Sequence, residues 1–336
     1  MKEALLTQPL HDGAVQCRVC EHFCTLQLGA WGKCGARVNQ KGVLYSTVYG
    51  QAVAAHVDPI EKKPLFHFLP GSQAFSVGTY GCNFSCQWCQ NWELSQSRAR
   101  EALSSIRLLP EALVAAAVAH DCASIAYTYN EPTIFLEYAY DTARLAHAQG
   151  IKNVFVSNGF MSEETLELIG PYLDGINVDL KGFTEVFYHE YIGARLEPVK
   201  RNISALAHLP DVWVEVTTLV IPGLNDSDAE LRELAAWLAS VDSQMPWHVS
   251  AFFPQYRLHD RLPTPLSTLE RAYRIGKEVG LQHVYVGNIP DPDRECTYCW
   301  QCQALLVRRS RYRVQSLWTQ PGMCPQCGAR ISGVWA

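Results

Sequence analysis

This chain has no apolar run long enough to cross a membrane. Its most apolar stretch, Ala112 to Ala119, is far shorter than the roughly 20 residues a spanning helix needs. Met1-Lys2-Glu3 is a polar start without the apolar core of a secretory signal. The expectation is a cytoplasmic protein with no membrane partner. Charge of one sign is scarce too: a formal net charge of −5 supplies no bulk pull toward nucleic acid or an anionic surface. Low-complexity tracts and repeats of roughly 20 to 50 residues are absent, which excludes solenoids and arrays.

Cysteine, by contrast, is plentiful. The chain holds 13, and all but Cys122 fall in three groups. In a small secreted domain such usage means disulfides, but in 336 residues without a signal it points to metals. With 48% hydrophobic and 18% charged residues the chain can bury a sizeable core. That is enough for one barrel of about 250 residues with small appendages.

The first group, Cys17-x2-Cys20-x3-Cys24-x9-Cys34, is set among Gly29, Gly32 and Gly35, which allow tight turns around a ligand set. Its spacing suits zinc or a second iron–sulfur cluster, and the closed set of four weighs toward zinc. The last group pairs Cys299-x2-Cys302 with Cys324-x2-Cys327 across a basic, β-prone insert, the pattern of a zinc ribbon. Cys296 also stands at x2 from Cys299, so the first knuckle has two readings, of which Cys299/Cys302 is preferred. Arg308, Arg309, Arg311, Arg313 and Arg330 make this tail locally basic. Ribbons sometimes bind nucleic acid, but a solvated face is the expectation.

The middle group is Cys82-x3-Cys86-x2-Cys89. A cubane cluster has four irons, and closed electron-transfer sites usually give each a cysteine. The next cysteine downstream is the isolated Cys122, so one iron would stay open to a small molecule, like the vacant position of a catalytic zinc. The alternative, structural zinc, would want a fourth ligand.

From Ala74 to about Asn288, extended apolar runs alternate with helical patterns, the sign of parallel β/α units. Strands are predicted at 75–78, 124–127, 153–157, 175–179, 213–220, 248–252 and 283–286. Pro110 suits a first helical turn, and Ser227-x2-Glu230 and Ser267-x2-Glu270 read as capping boxes. Residues 43–57 suggest a small sheet, and in the connection from Asp58 to Leu65 the pair Lys62-Lys63 is expected to face solvent. The fold class expected is α/β: a full or partial TIM-type (β/α) barrel at 71–290, with Cys-rich metal-binding appendages at 1–70 and 291–336. In such a barrel the reactive site lies at the C-terminal ends of the strands.

The triad followed by Gln90-Asn91-Trp92 resembles the signature of radical S-adenosylmethionine (SAM) enzymes. In that family the open iron chelates the amino and carboxylate groups of SAM. An electron then cleaves the C5′–S bond, and a 5′-deoxyadenosyl radical takes hydrogen from the substrate. Later segments resemble the SAM-binding pattern of the pyruvate formate-lyase activating enzyme branch. Tyr127-Thr128-Tyr129-Asn130-Glu131-Pro132 stands where that branch has its GGE motif, which holds the SAM ammonium; Tyr129 and Asn130 replace the glycines. Ser157-Asn158-Gly159 resembles the ribose-contacting segment, and Asp179-Leu180-Lys181 the segment that serves the methionine moiety. Trp88 takes the aromatic position beside the adenine. Glu215 and Thr217 alternate on a strand ending in a Pro222-Gly223 loop like the family's, which implies contacts to SAM or substrate, and His248 on the next strand is a cofactor contact. Plainer readings stand beside these: a helix start at Glu131-Pro132, a turn at Ser157-Asn158-Gly159, a salt-bridged strand end at Asp179 and Lys181, and a hydrogen-bonded core position for His248.

The order of these elements, with both Cys-rich termini and Val284-Tyr285-Val286-Gly287-Asn288, resembles the radical SAM component of the AmmeMemoRadiSam system over nearly the whole chain. The resemblance implies a 4Fe–4S cluster at Cys82, Cys86 and Cys89, SAM, and a reductant such as flavodoxin or ferredoxin. It further implies a Memo-like partner and suggests a protein substrate. Two other functions remain in play: a glycyl-radical enzyme activase, and a non-catalytic metal-binding interaction module.

Overall fold

A computed structural model describes residues 1–98, 104–310 and 312–335; Arg311 of the basic tail lies outside the described residues. Its centre is an eight-stranded sheet of β1 (Ala54–Pro59), β2 (Gln73–Gly78), β3 (Ser124–Tyr127), β4 (Lys152–Ser157), β5 (Gly175–Asp179), β6 (Trp213–Val220), β7 (Trp247–Ala251) and β8 (Val284–Gly287). Strands β2 to β8 follow one another in chain order, each parallel to the last. Strand β1 runs antiparallel on the outside of β2. Strands β3 and β7 are buried along their whole length, as expected where both faces of a parallel sheet are covered. Apolar residues dominate β3, whereas β7 alternates Trp247, Val249 and Ala251 with the buried polar His248 and Ser250.

Among the described residues β1 and β8 are not paired, so the hydrogen-bonded ladder is open and not a closed barrel. The parallel order still carries the C-terminal ends of β2 to β8 to one edge. The crossovers include helices α1 (Pro110–Ala119), α2 (Leu136–Ala148), α3 (Glu163–Ile169), α4 (Glu197–Ala207), α5 (Asp228–Val241) and α6 (Leu266–Glu278). Pro110 is the first residue of α1. Ser227 caps α5 by accepting the Glu230 N–H at 3.2 Å, but the Glu230 carboxylate turns away to accept the N–H of Phe183. The second capping box does not form. Ser267 lies inside α6, which begins directly after Pro265, the last extended residue before the helix.

Two local expectations need correction. Residues 43–57 do not make one sheet: Val43–Ser46 pairs with Lys2–Glu3 and Arg37–Gln40, whereas Ala54–Pro59 becomes β1. Residue composition marks a strand but not its partner. Lys63 does not face solvent either. It is 2% exposed, donates to Asp58 at 2.7 Å and stands 5.0 Å from the centre of the Tyr129 ring.

The segment that follows closes the other edge of the sheet. Ile60, Leu65 and Phe68 pack with Ala74 of β2, Ala126 of β3 and Val154 of β4. The C-terminal tail clips onto this segment through reciprocal hydrogen bonds, Leu69 N–H to Val334 O and Val334 N–H to His67 O, both 2.7 Å. Arg309, expected on a solvated face, is buried here. It donates to Phe66 O at 2.6 Å and Thr297 Oγ1 at 2.8 Å, with its guanidinium 4.3 Å above the Phe66 ring. No helix among the described residues is long and apolar enough to cross a membrane.

Candidate active site

The loop after β2 carries the cysteine triad, and glycines let it start tightly. Gly81 has φ +86°, and a Cβ there would lie 2.2 Å from the carbonyl oxygen of Cys34. Asn130, on the loop after β3, accepts the Thr79 N–H at 3.1 Å and donates to Gly81 O at 2.8 Å, so the two loops are stitched together ahead of Cys82. Tyr129 holds φ +72°, the left-handed backbone that a glycine adopts freely and a tyrosine only at a cost. Its hydroxyl donates to Asp58 at 2.7 Å and its carbonyl accepts from Asn91 at 2.8 Å, which keep it there.

Cys82, Cys86 and Cys89 line one cavity of about 270 Å³ with Trp88, Asn130, Glu131, Ser157, Asn158, Asp179, Lys181 and Thr217. Glu131 is buried and bridges two loops. Oε1 accepts from Thr133 N (3.0 Å), Thr133 Oγ1 (2.6 Å) and Ser157 Oγ (2.8 Å), and Oε2 accepts from Asn158 N at 2.7 Å. Burial pushes this carboxyl above its ordinary range, against the lowering pull of those donors. Oε2 keeps acceptor capacity for a further donor in the cavity.

Lys181 donates to Asp179 at 2.7 Å. Burial works to lower its pKa, but the carboxylate beside it and the nearby Cys86 outweigh that, so the ammonium is held above its ordinary value. Burial pushes the Cys86 thiol up to about 12 with Lys181 opposing, and lifts Cys82 well above its usual value with Glu131 adding to the effect. A metal centre bound here would take these thiols as thiolates and so offset the cost of ionising them in a buried site. Trp88 is buried and stacks on Phe187 at 5.4 Å.

Two of the sequence-derived residues do not line the cavity. Glu215 and His248 share the interior faces of β6 and β7, as the alternation implies, but sit lower along them. Glu215 accepts the N–H groups of Phe66 (3.0 Å) and His67 (2.7 Å), the Trp213 indole (3.0 Å) and His248 Nε2 (2.6 Å). It anchors the closing segment, and His248 stacks on Tyr285 at 5.2 Å. Higher on the same faces, Thr217, Leu219 and Ser250 do reach the cavity. Sequence reasoning missed Ser250 and Asn288; the i, i+2 spacing of Ser250 from His248 was the available signal.

The fit of an iron–sulfur cluster and SAM rests on the donor set. Three thiols share a polar cavity with a buried carboxylate and a Lys–Asp pair, which suits a zwitterionic ligand. The Thr217 hydroxyl is buried there without a hydrogen-bond partner, an arrangement costing about 1–3 kcal/mol unless a ligand satisfies it.

The other cysteine groups are separate. Cys17, Cys20, Cys24 and Cys34 line a small cavity with His22, Arg37 and Asn83. The ligand atoms of Cys299, Cys302, Cys324 and Cys327 all lie within 4.8 Å of one another, a geometry compatible with one tetrahedral ion. Cys296 is not in that set; its sulfur accepts the Arg309 N–H at 3.2 Å.

Residues 76–238 match the Radical SAM superfamily. The chain belongs to this superfamily, whose members are enzymes, has its α/β fold with a largely parallel central sheet, and is homologous to activating enzymes of the pyruvate formate-lyase type. It is 39% identical over 334 residues to Uncharacterized protein MJ0808 of Methanocaldococcus jannaschii, covering 98% of this chain and 99% of that one. Over 94 residues it is 29% identical to the isethionate sulfite-lyase activating enzyme of Nitratidesulfovibrio vulgaris, covering 28% and 31% of the two chains. A domain of a pyruvate-formate lyase-activating enzyme from Bacteroides vulgatus superposes with a TM-score of 0.43 at 18% identity, over 49% of this chain and 99% of that domain.

Proposed function

We propose that this protein is the radical SAM enzyme of an AmmeMemoRadiSam system, abstracting hydrogen from a protein substrate in the cytoplasm. The observation that carries the reading is one cavity lined by Cys82, Cys86, Cys89, Glu131, Asp179, Lys181 and the partnerless Thr217 hydroxyl. Cys82, Cys86 and Cys89 would hold a 4Fe–4S cluster, which together with SAM would supply the one-electron chemistry for hydrogen abstraction. Glu131 receives the SAM ammonium, Lys181 and Asp179 hold the methionine end, Ser157 and Asn158 face the ribose, and Trp88 flanks the adenine. A low-potential carrier such as flavodoxin or ferredoxin supplies electrons, and a Memo-like protein is the partner. Zinc in the C-terminal thiol set holds the ribbon together.

The test is anaerobic reconstitution with iron and sulfide, reduction in the presence of SAM, and quantification of 5′-deoxyadenosine. Production by the wild type and none by a Cys82→Ala/Cys86→Ala/Cys89→Ala variant is the expected result. A fully loaded, reduced wild type that leaves SAM intact with and without a Memo-like protein would refute it. Similarity to an activating enzyme favours one second reading, a glycyl-radical activase. That reading requires an EPR doublet on the candidate glycyl-radical protein.

A further inference from the structure

Among the described residues, the C-terminal thiols are drawn within 4.8 Å of one another, whereas Cys17, Cys20, Cys24 and Cys34 are not. Thiolates bound to one zinc at about 2.3 Å stand only about 3.8 Å apart. A cluster seats each thiolate on a different iron and therefore takes a wider ring. In this respect the first group matches the Cys82 triad, which is likewise not drawn within that distance.

Two buried donors point to a negatively charged occupant. Arg37 spends Nη1 and Nη2 on Glu137, at 2.9 and 2.7 Å, but its Nε is buried without a partner. Asn83 uses its side-chain oxygen to accept from Asn158 at 2.7 Å, and its Nδ2 is also buried without a partner. Both residues line the cavity of the first four cysteines. Sulfides and thiolates of a cluster are the acceptors such donors lack.

The two cysteine sites also share a wall. The carbonyl oxygen of Cys34 lies so close to Gly81 that any side chain there would collide with it, and Gly81 directly precedes Cys82. A cavity of about 120 Å³ is lined by Cys34 on one side and Cys82 and Asn83 on the other. His22, within the first group, places Nε2 2.8 Å from Asn83 O.

We propose that Cys17, Cys20, Cys24 and Cys34 hold a second iron–sulfur cluster in electronic contact with the Cys82 triad. The inference rests on the reading of the triad given above. An external one-electron carrier reduces the second cluster, which returns to its oxidised state by passing that electron through the Cys34–Gly81 contact to the triad site. No proton or group moves in this step.

Metal content tests it without any turnover. In the Cys82→Ala/Cys86→Ala/Cys89→Ala variant, reconstituted anaerobically, iron and acid-labile sulfide should persist in equal amounts, about four each per chain for a cubane or about two for a two-iron cluster. Adding Cys17→Ala/Cys20→Ala should abolish both. A folded triple variant without iron, carrying extra zinc that leaves with Cys17 and Cys20, would overturn the proposal. If the triple variant does not fold, the wild type decides. Iron beyond the four of one cubane, with mutually split EPR signals in the fully reduced protein, supports the proposal; iron for one cluster only, or two uncoupled signals, sinks it. Failure of SAM cleavage with both sites loaded would instead count against the proposed function and leave the metal analysis standing.

Discussion

The Oε2 atom of Glu131 accepts the backbone N–H of Asn158 at 2.7 Å, so one buried carboxylate fixes the loop after β3 to the loop after β4. Replacing it with glutamine keeps the shape but removes the charge and sets an NH2 group against N–H donors. Hydrogen bonds to charged groups are worth about 1.5–3 kcal/mol each. Glu131→Gln should therefore weaken SAM binding by about tenfold or more, read by equilibrium dialysis on cluster-loaded protein. A variant with lower thermal stability but unchanged SAM affinity would show that Glu131 only ties loops together.

Burial raises the Glu131 pKa, and a bound ammonium would lower it. SAM affinity should then rise with pH from the ordinary carboxylate range through the raised value and level off above it. A flat profile over that window in the wild type would argue against an ammonium at Glu131.

The Arg37–Glu137 pair is 2% and 0% exposed, with both carboxylate oxygens engaged. Removing one partner strands the other as a buried charge, which costs about 3–5 kcal/mol. Glu137→Ala should lose that much in urea denaturation. Arg18→Ala, which breaks a pair with Glu164 whose side chains are 34% and 38% exposed, should cost far less, because solvent screens the pair. Equal losses in the two variants would refute the burial argument.

Much of the sheet was legible because its strands are short runs rich in apolar and β-branched residues whose ends coincide with polar or turn residues. Ser124–Tyr127, Gly175–Asp179 and Trp213–Val220 match the sequence reading residue for residue. Height along a strand was not legible. Alternation placed Glu215 and Thr217 on the interior face, but only the position of the closing segment decides that Glu215 meets Phe66 and His67 while Thr217 meets the cavity. Lys63 and Arg309 were misread for a related reason. A basic residue buried by distant aromatic rings, Tyr129 for one and Phe66 for the other, carries no local mark of it. Asn83 was hidden inside the cysteine motif itself, where spacing draws attention to the thiols alone.

His283 and His67 predict an acid-side loss of stability. Their rings lie 4.4 Å apart, and burial lowers both, His283 to about 3 and His67 well below its ordinary value. Between the unfolded-state value near 6.5 and about pH 3, the unfolded chain binds a proton at His283 that the folded chain refuses. Stability is thus highest above that window and falls on acidification, by up to about 1.4 kcal/mol per pH unit for each histidine. His283→Gln should flatten part of this slope in denaturation curves from pH 7 to pH 4. An unchanged slope would mean that His283 accepts a proton in the folded state.

The ribbon makes the sharpest metal-removal prediction. Its sulfurs approach in pairs, Cys299 to Cys327 at 3.6 Å and Cys302 to Cys324 at 3.5 Å, and its own core consists of Cys299, Ala304, Leu306, Cys324, Ala329 and Ile331 under Trp318 and Trp335. A core this small does not hold a fold without a staple. With an ion bound there as proposed, a chelator should expose the Trp318–Trp335 pair, whose rings meet edge to face at 4.6 Å, and shift tryptophan emission to the red. The parallel sheet has its own core and should keep its far-UV signal through the same treatment. Quantitative metal loss with unchanged emission would mean that the clip between Val334 and His67, and the buried Arg309, hold the ribbon without any ion.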